Sequence, residues 1–562
     1  MQIRSHQVQG GMKQPDQVKL CAWAGLLLAA TPLAAQDALD RTNPAGQAPE
    51  EDASLAPPNE PRIEVRPVLD MAPGEAGGAT LDVGAILIEG LEALPAAAFA
   101  DVIAPFAGRP LTHAELARLT DAIAERARAQ GYALATAWIP EQRLVAGTLR
   151  VRIDEGRIDA LRIKGDDDPA LRRQLEALVG RGPVTLAQIE RTVLLADDLP
   201  GVWIGATRFE REGASRVLVV EARRSDAGGS LQLASDGTKP LGPVRARIDL
   251  DANGLISPRD RVDLSLSLTP LEPEEQAFFS ARYAVIVSDA GTSLGAFGSY
   301  SRTEPGAYLA ARELLGESWQ GGLRLRHPLL RRQRRGLWLE ASGEVNDLRQ
   351  DALGALVRHD RITLGRIGLY GFGPFAGGTL QGRATLSQGL PLLGATDTGD
   401  PRSSRLAAAP DFTTFGWWLQ WRRPLAPRLS LALGTIGQIA SGPLLIGERF
   451  TLGGGSFLRG YDFAQGLGDE GIAGSAELRY DWPKPHGGVR SLQLYAFADG
   501  GMVSNRDGPA GEESLASGGA GLRADITRRL DLDVEVALPL SEPRYDTLDR
   551  SPRLNLRVSR NF

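Results

Sequence analysis

The chain has 562 residues, 43% of them hydrophobic, and a formal net charge of −6. That length calls for two or more folded units, a mean hydropathy of −0.16 excludes a helical membrane protein, and the acidic balance excludes nucleic acid as the main partner. The 66 glycines and 36 prolines suit strands joined by many turns.

Lys13 and Lys19 precede an apolar run, 20–30, and the small-residue stretch 31–35. This is the pattern of a secretory signal peptide, 1–35, cleaved after Ala35, with either Met1 or Met12 as the start. The apolar run, about 11 residues, is too short to span a bilayer. The only cysteine, Cys21, falls inside it, so the mature chain is expected to have neither a disulfide nor a thiolate site. No apolar run long enough for a membrane helix follows, so a membrane-embedded chain would have to be a barrel. Residues 36–80 are rich in Pro, Ala, Glu and Gly and read as a disordered or extended linker, in which 59–69 could form a short tethered element.

From 81 to 225 a mixed α/β pattern occurs twice. In the first unit, 81–155, a strand at 86–88 precedes a helix whose capping box is Thr112 and Glu115. Leu116, Leu119 and Ile123 form its apolar stripe, and strands follow at 133–139 and 148–153. In the second, 156–225, a strand at 158–163 leads to a helix started by Asp168 and Pro169. Another helix, capped by Thr185 and Gln188, comes next, then strands at 202–210 and 216–222. This β-α-α-β-β order in tandem after a signal peptide resembles the POTRA domain; the periodicity alone also fits any pair of small α+β domains.

From 226 to 562 the helical signals stop and alternating segments recur, among them 262–268, 429–433, 474–482, 492–499 and 530–536. Alternation of period two gives each strand one apolar and one polar face. The apolar faces could meet the core of a soluble sandwich or the lipid around an outer-membrane barrel. At roughly 20 residues per strand and connection, about 16 antiparallel strands fit. Trp417, Trp418 and Trp421, with Tyr370, Phe372 and Phe375, are expected to form an interfacial girdle, and the chain ends on an aromatic, Phe562.

The tetrad Leu458, Arg459, Gly460 and Tyr461 follows the glycines 453–455 and precedes Glu477-Leu478-Arg479-Tyr480 and Phe497-Ala498-Asp499-Gly500-Gly501. With these motifs the chain resembles the TpsB transporters of two-partner secretion (the ShlB/FhaC/HecB type), relatives of the barrel assembly protein BamA. The resemblance implies α+β periplasmic POTRA domains followed by an all-β transmembrane barrel. It implies a loop folded back into the lumen, with Arg459 paired to Asp499. Parity puts Glu477 and Asp481 on the same inner face, so they compete as partners of the arginine. It also implies an N-terminal plug helix, for which 36–80 shows no clear amphipathic pattern.

By the same resemblance the chain would be a pore that recognises a partner exoprotein and moves it from the periplasm to the cell surface. The POTRA domains would capture it by strand addition, with 148–153 or 216–222 as candidate edges. Outer-membrane lipids, lipopolysaccharide and, during biogenesis, the barrel assembly machinery are the other expected partners. The alternatives are a BamA-like assembly factor and a plain porin. His113, His327, His359 and His486 are scattered, and no G-x-S-x-G elbow, Walker loop or H-E-x-x-H occurs. No metal, cofactor or enzymatic activity is therefore expected.

Overall fold

The computed structural model describes residues 38–44, 62–64, 80–213, 215–483, 485, 488–506 and 513–562. The expected signal peptide lies outside them.

In the first unit helix α1, His113–Ala129, packs on a three-stranded sheet. The strand order is Ala85–Glu89, Thr148–Asp154, Thr136–Trp138. Both halves of its capping box form: Glu115 N–H donates to the Thr112 hydroxyl, and the Thr112 N–H to the Glu115 carboxylate at 2.8 Å. Leu119 and Ile123 on α1 bury against Leu149 and Val151. Short helical turns over 96–106, broken by Pro105, carry the buried Phe99; their lack of a helical stripe hides them from sequence reading.

The second unit repeats the order. Helices α2, Pro169–Glu176, and α3, Leu186–Asp197, cover strands Ala160–Gly165, Ser215–Arg224 and Val202–Glu212. Two differences from the sequence reading concern its edges. Strands Thr148–Asp154 and Ser215–Arg224, expected as open edges, are paired on both sides. And Arg62–Glu64, within the stretch read as linker, adds a parallel strand to Val202–Glu212 at residues 206–208.

Sixteen antiparallel strands then close into a barrel. They are β1 Ala227–Ala234, β2 Arg245–Asn253, β3 Asp260–Leu268, β4 Gln276–Ile286, β5 Ser293–Thr303, β6 Leu314–Arg332, β7 Arg335–Ala352 and β8 Ala355–Phe375. After these come β9 Gly378–Gly389, β10 Thr413–Ala426, β11 Leu429–Ala440, β12 Glu470–Asp481, β13 Ser491–Ser504, β14 Glu513–Asp525, β15 Leu530–Pro539 and β16 Arg553–Asn561. The usual burial rule is inverted: Leu231, Leu250, Leu266, Ile367 and Leu494 are exposed while Ser267, Glu344, Thr363 and Ser387 are buried. An apolar outside with a polar inside is a barrel in lipid, not a soluble sandwich. No helix among the described residues is long and apolar enough to cross a membrane; the crossing is made by strands.

The expected girdle is corrected by the same alternation. Neighbours on a strand point to opposite faces, so Trp417 and Trp418 cannot both face lipid. Tyr370 and Phe372 lie inside, buried against Trp338, whereas Phe375 is exposed.

The second unit docks on the near end of the barrel. Arg331 of β6, 1% exposed, forms a bidentate pair with Asp198, the C-cap of α3, with both distances 2.9 Å. Gln174 of α2 donates to the Asp289 carbonyl on the β4–β5 turn. At the far end residues 38–44 lie inside the barrel. One helical turn, 38–41, buries Ala38 and Leu39 against Leu309 and Leu314, and Asp40 pairs with Arg358 of β8 at 2.6 Å.

Candidate functional site

The chain between β11 and β12, 441–469, folds into the lumen rather than outward. Its stalk is a two-stranded pair, Phe450–Leu452 with Gly466–Gly468, and its tip is a turn closed by the Tyr461 N–H donating to the Leu458 carbonyl at 2.9 Å. Two positions show why glycines crowd this loop. Gly453 has φ +96° and faces the Asp462 carbonyl, where a Cβ would come within 2.2 Å. Gly460 lies flat on β15, where a Cβ would meet the backbone of Leu538 at 2.8 Å.

That approach delivers Arg459 to the inner wall, where it is 6% exposed. Its backbone N–H and Nε both donate to Asp499 Oδ2, at 3.1 and 3.0 Å, and Nη2 donates to Oδ1 at 3.0 Å. Nη1 donates to Glu477 at 2.9 Å and to Glu535 at 3.1 Å, and Nη2 also donates to Ser475 at 3.1 Å. All five guanidinium N–H groups are therefore used. The plane lies over the Phe497 ring at 3.4 Å, a cation–π contact. Burial opposes the charge on Arg459, but the bonds and charge of Asp499, with Glu535 and Glu477, outweigh it and hold the guanidinium above its ordinary range.

The other tetrad residues fix this placement. Leu458 is fully buried, with φ +60°. The Tyr461 hydroxyl donates to the Ala516 carbonyl at 3.1 Å and accepts from the N–H groups of Ser541 and Glu542, both at 3.1 Å. The next residue, Asp462, accepts from Arg544 at 2.6 Å.

Of the competing carboxylates, Glu477 shares the guanidinium with Asp499, and Asp481 does not reach it. Asp481 is exposed at the near end of β12 and accepts from Gln493 at 2.8 Å. Sequence reading missed Glu535, Ser475 and Arg523. Glu535 lies on the polar face of the alternating segment 530–536, so parity could have flagged it. Arg523 donates to Glu477 at 2.7 Å, which keeps three carboxylates around Arg459 from being uncompensated. Among the described residues no group of His, Cys, Asp or Glu is placed to hold a metal ion.

Residues 213–524 match the family described as haemolysin secretion/activation protein ShlB/FhaC/HecB. The chain belongs to that family. Residues 81–156 match the POTRA domain, ShlB-type. The heme/hemopexin transporter protein HuxB of Haemophilus influenzae (strain 86-028NP) is 23% identical over 475 residues, covering 80% of this chain and 82% of its own. The outer membrane transporter CdiB of Escherichia coli is 23% identical over 499 residues, covering 83% of this chain and 80% of its own. The solved structure of CdiB from Escherichia coli superposes with a TM-score of 0.71 at 22% identity, covering 99% of this chain and 100% of that one. Membership sets the orientation: the barrel sits in the outer membrane, its near end and the POTRA region are periplasmic, and its far end is at the cell surface.

Proposed function

We propose that this chain is the outer-membrane pore of a two-partner secretion pair. It captures an exoprotein in the periplasm and passes it, unfolded, through the barrel to the cell surface. The observation that carries this reading is a family barrel with α+β units at its periplasmic mouth and its longest inward loop tied by Arg459 inside the lumen. The tie fits a gate. Three carboxylates on the wall hold the loop in one place through charged hydrogen bonds, which water can replace.

Capture is by strand addition to the second α+β unit, which serves as the second POTRA domain. The Val202–Glu212 edge already takes a strand from the chain's own residues 62–64, so an extended partner segment meets a ready ladder there. Among the described residues, open edges also lie at Ala160–Gly165 and, in the first unit, at Ala85–Glu89 and Thr136–Trp138. The outer face, ringed by leucines, contacts lipid and, in the outer leaflet, lipopolysaccharide. The Phe562 backbone closes the barrel by pairing with Gly229, and the barrel assembly machinery inserts the barrel during biogenesis. The chain works as a conduit and not as an enzyme, and the free energy for transport comes from the exoprotein folding outside.

Deleting the chain and surveying the surface tests this. Loss of one large secreted protein is the expected result; loss of many barrels would mean an assembly factor instead.

A further inference from the structure

The inward loop touches the barrel wall at a second place, far from Arg459. Before the stalk, Ile446–Glu448 forms a short helical turn that buries Glu448. Arg366 of β8 donates through Nη2 to both Glu448 oxygens, at 2.8 and 3.0 Å. The same guanidinium donates through Nε to Glu344 of β7 and through Nη1 to Ser387 of β9 at 2.6 Å. Arg366 is thus held on the wall by two strands and offers its remaining face to the loop.

The two contact points lie on separate arcs of the wall. Glu448 is held from β8, whereas Arg459 and Gly460 rest on β12 to β15. From β8 these strands are four to seven steps around a ring of sixteen. The loop leaves the wall at β11, between these points, so it must reach out in both directions. It lies across the lumen as a strap with two feet.

The feet are chemically independent. Among the described residues, Arg459 shares no carboxylate with Arg366, and the bonds of the Glu448 pair and of the Arg459 cluster have no residue in common. The Glu448 foot has its own clasp in the N-terminal segment: Asp40, bonded to Arg358 on β8, also faces Arg449 at 3.7 Å.

We propose that Glu448 is a second positioning residue of the gate: the Glu448–Arg366 pair holds the base of the loop across the lumen after Arg459 has let go. Releasing Arg459 alone removes the tip's anchor on the carboxylates and loosens one side of the lumen, with Tyr461 and Asp462 still in contact with the wall. Full width requires both feet to release. This rests on the reading of the barrel as a conduit, but pore width can be measured without any exoprotein.

The test is single-channel conductance of the purified full chain in planar bilayers, for wild type, Arg459→Ala, Glu448→Gln and the double variant. Heat-modifiable gel migration checks that each barrel is folded. The expected result is a double-variant conductance above wild type by more than the sum of the two single increments. A double variant that conducts like Arg459→Ala would overturn the proposal. If the double variant does not fold, Arg459→Ala with Glu448→Asp, which keeps the charge but shortens its reach to Arg366, decides on its own: conductance above that of Arg459→Ala supports the second foot, and conductance equal to it contradicts it. The expected conductances, with no exoprotein secreted by the wild-type chain, would instead count against the transport reading and leave the strap intact.

Discussion

Arg459 and Asp499, forty residues apart in sequence, share three hydrogen bonds inside the barrel: one from the Arg459 backbone and two from its guanidinium. The Asp499 side chain is fully buried. Removing Arg459 leaves the buried Asp499 without its counter-ion, a cost of about 3–5 kcal/mol, and removing Asp499 takes three hydrogen bonds from Arg459 while Glu477 and Glu535 remain beside it. Arg459→Ala and Asp499→Ala are therefore expected to insert as barrels but to secrete poorly, as read by exoprotein in the culture medium. Arg459→Lys should fail nearly as badly, because one ammonium cannot replace a planar fork that engages Asp499, Glu477, Glu535 and Ser475 at once. Normal secretion by all three variants would remove the pair from the mechanism.

Gly460→Ala tests the placement of the loop without touching a charge. Its Cβ would sit 2.8 Å from the Leu538 carbonyl carbon and oxygen and 2.9 Å from the Pro539 nitrogen, which are backbone atoms that cannot rotate away. The tip must lift from β15, drawing Arg459 off its carboxylates. Secretion should fall to about the level of Arg459→Ala. Unchanged secretion would mean that the close approach to β15 is dispensable.

Much of this was legible in the sequence because the signals were local. Period-two alternation in 474–482 and 492–499 put Glu477 and Asp499 on one face, and capping residues such as Thr112 and Thr185 marked helix starts. The strand count followed from length. What escaped depended on long-range pairing. Glu535 meets Arg459 only because β13, β14 and β15 are adjacent, and 62–64 becomes a strand only on the edge of Val202–Glu212. Asp481 shares parity with Glu477 but sits four residues further along the strand, and parity carries no information about height in the lumen.

At the periplasmic mouth, Asp198→Asn should loosen the second α+β unit from the barrel. Arg331 would stay buried but lose its carboxylate, at a cost of about 3–5 kcal/mol. Faster amide exchange in α3 and the β6–β7 turn of the full chain is the expected result. Unaltered exchange would show that the Gln174 contact and the covalent connection suffice.

In the first unit the capping box sets a pH dependence. The Thr112 N–H, then Arg109, holds the Glu115 carboxyl down to about 2 from its ordinary 4.5. A depressed acid stabilises the fold above its unfolded value, so this contribution is complete above pH 4.5 and is lost as pH falls toward 2. Amide protection in the first turn of α1 should decline over that window in wild type. Thr112→Ala should reduce it already at neutral pH, by about 1 kcal/mol. Protection independent of both changes would contradict the capping account.

The claim that an exoprotein passes through this lumen is tested most directly by photo-crosslinking in cells. The exoprotein is stalled by a tightly folding domain fused to its C-terminus, and a photoreactive residue is placed at Ser342, which faces the lumen, or at Ile367, which is exposed on the outer face. The account predicts a covalent adduct with the stalled chain from position 342 and none from position 367. No adduct from 342, or one from 367 alone, would contradict it.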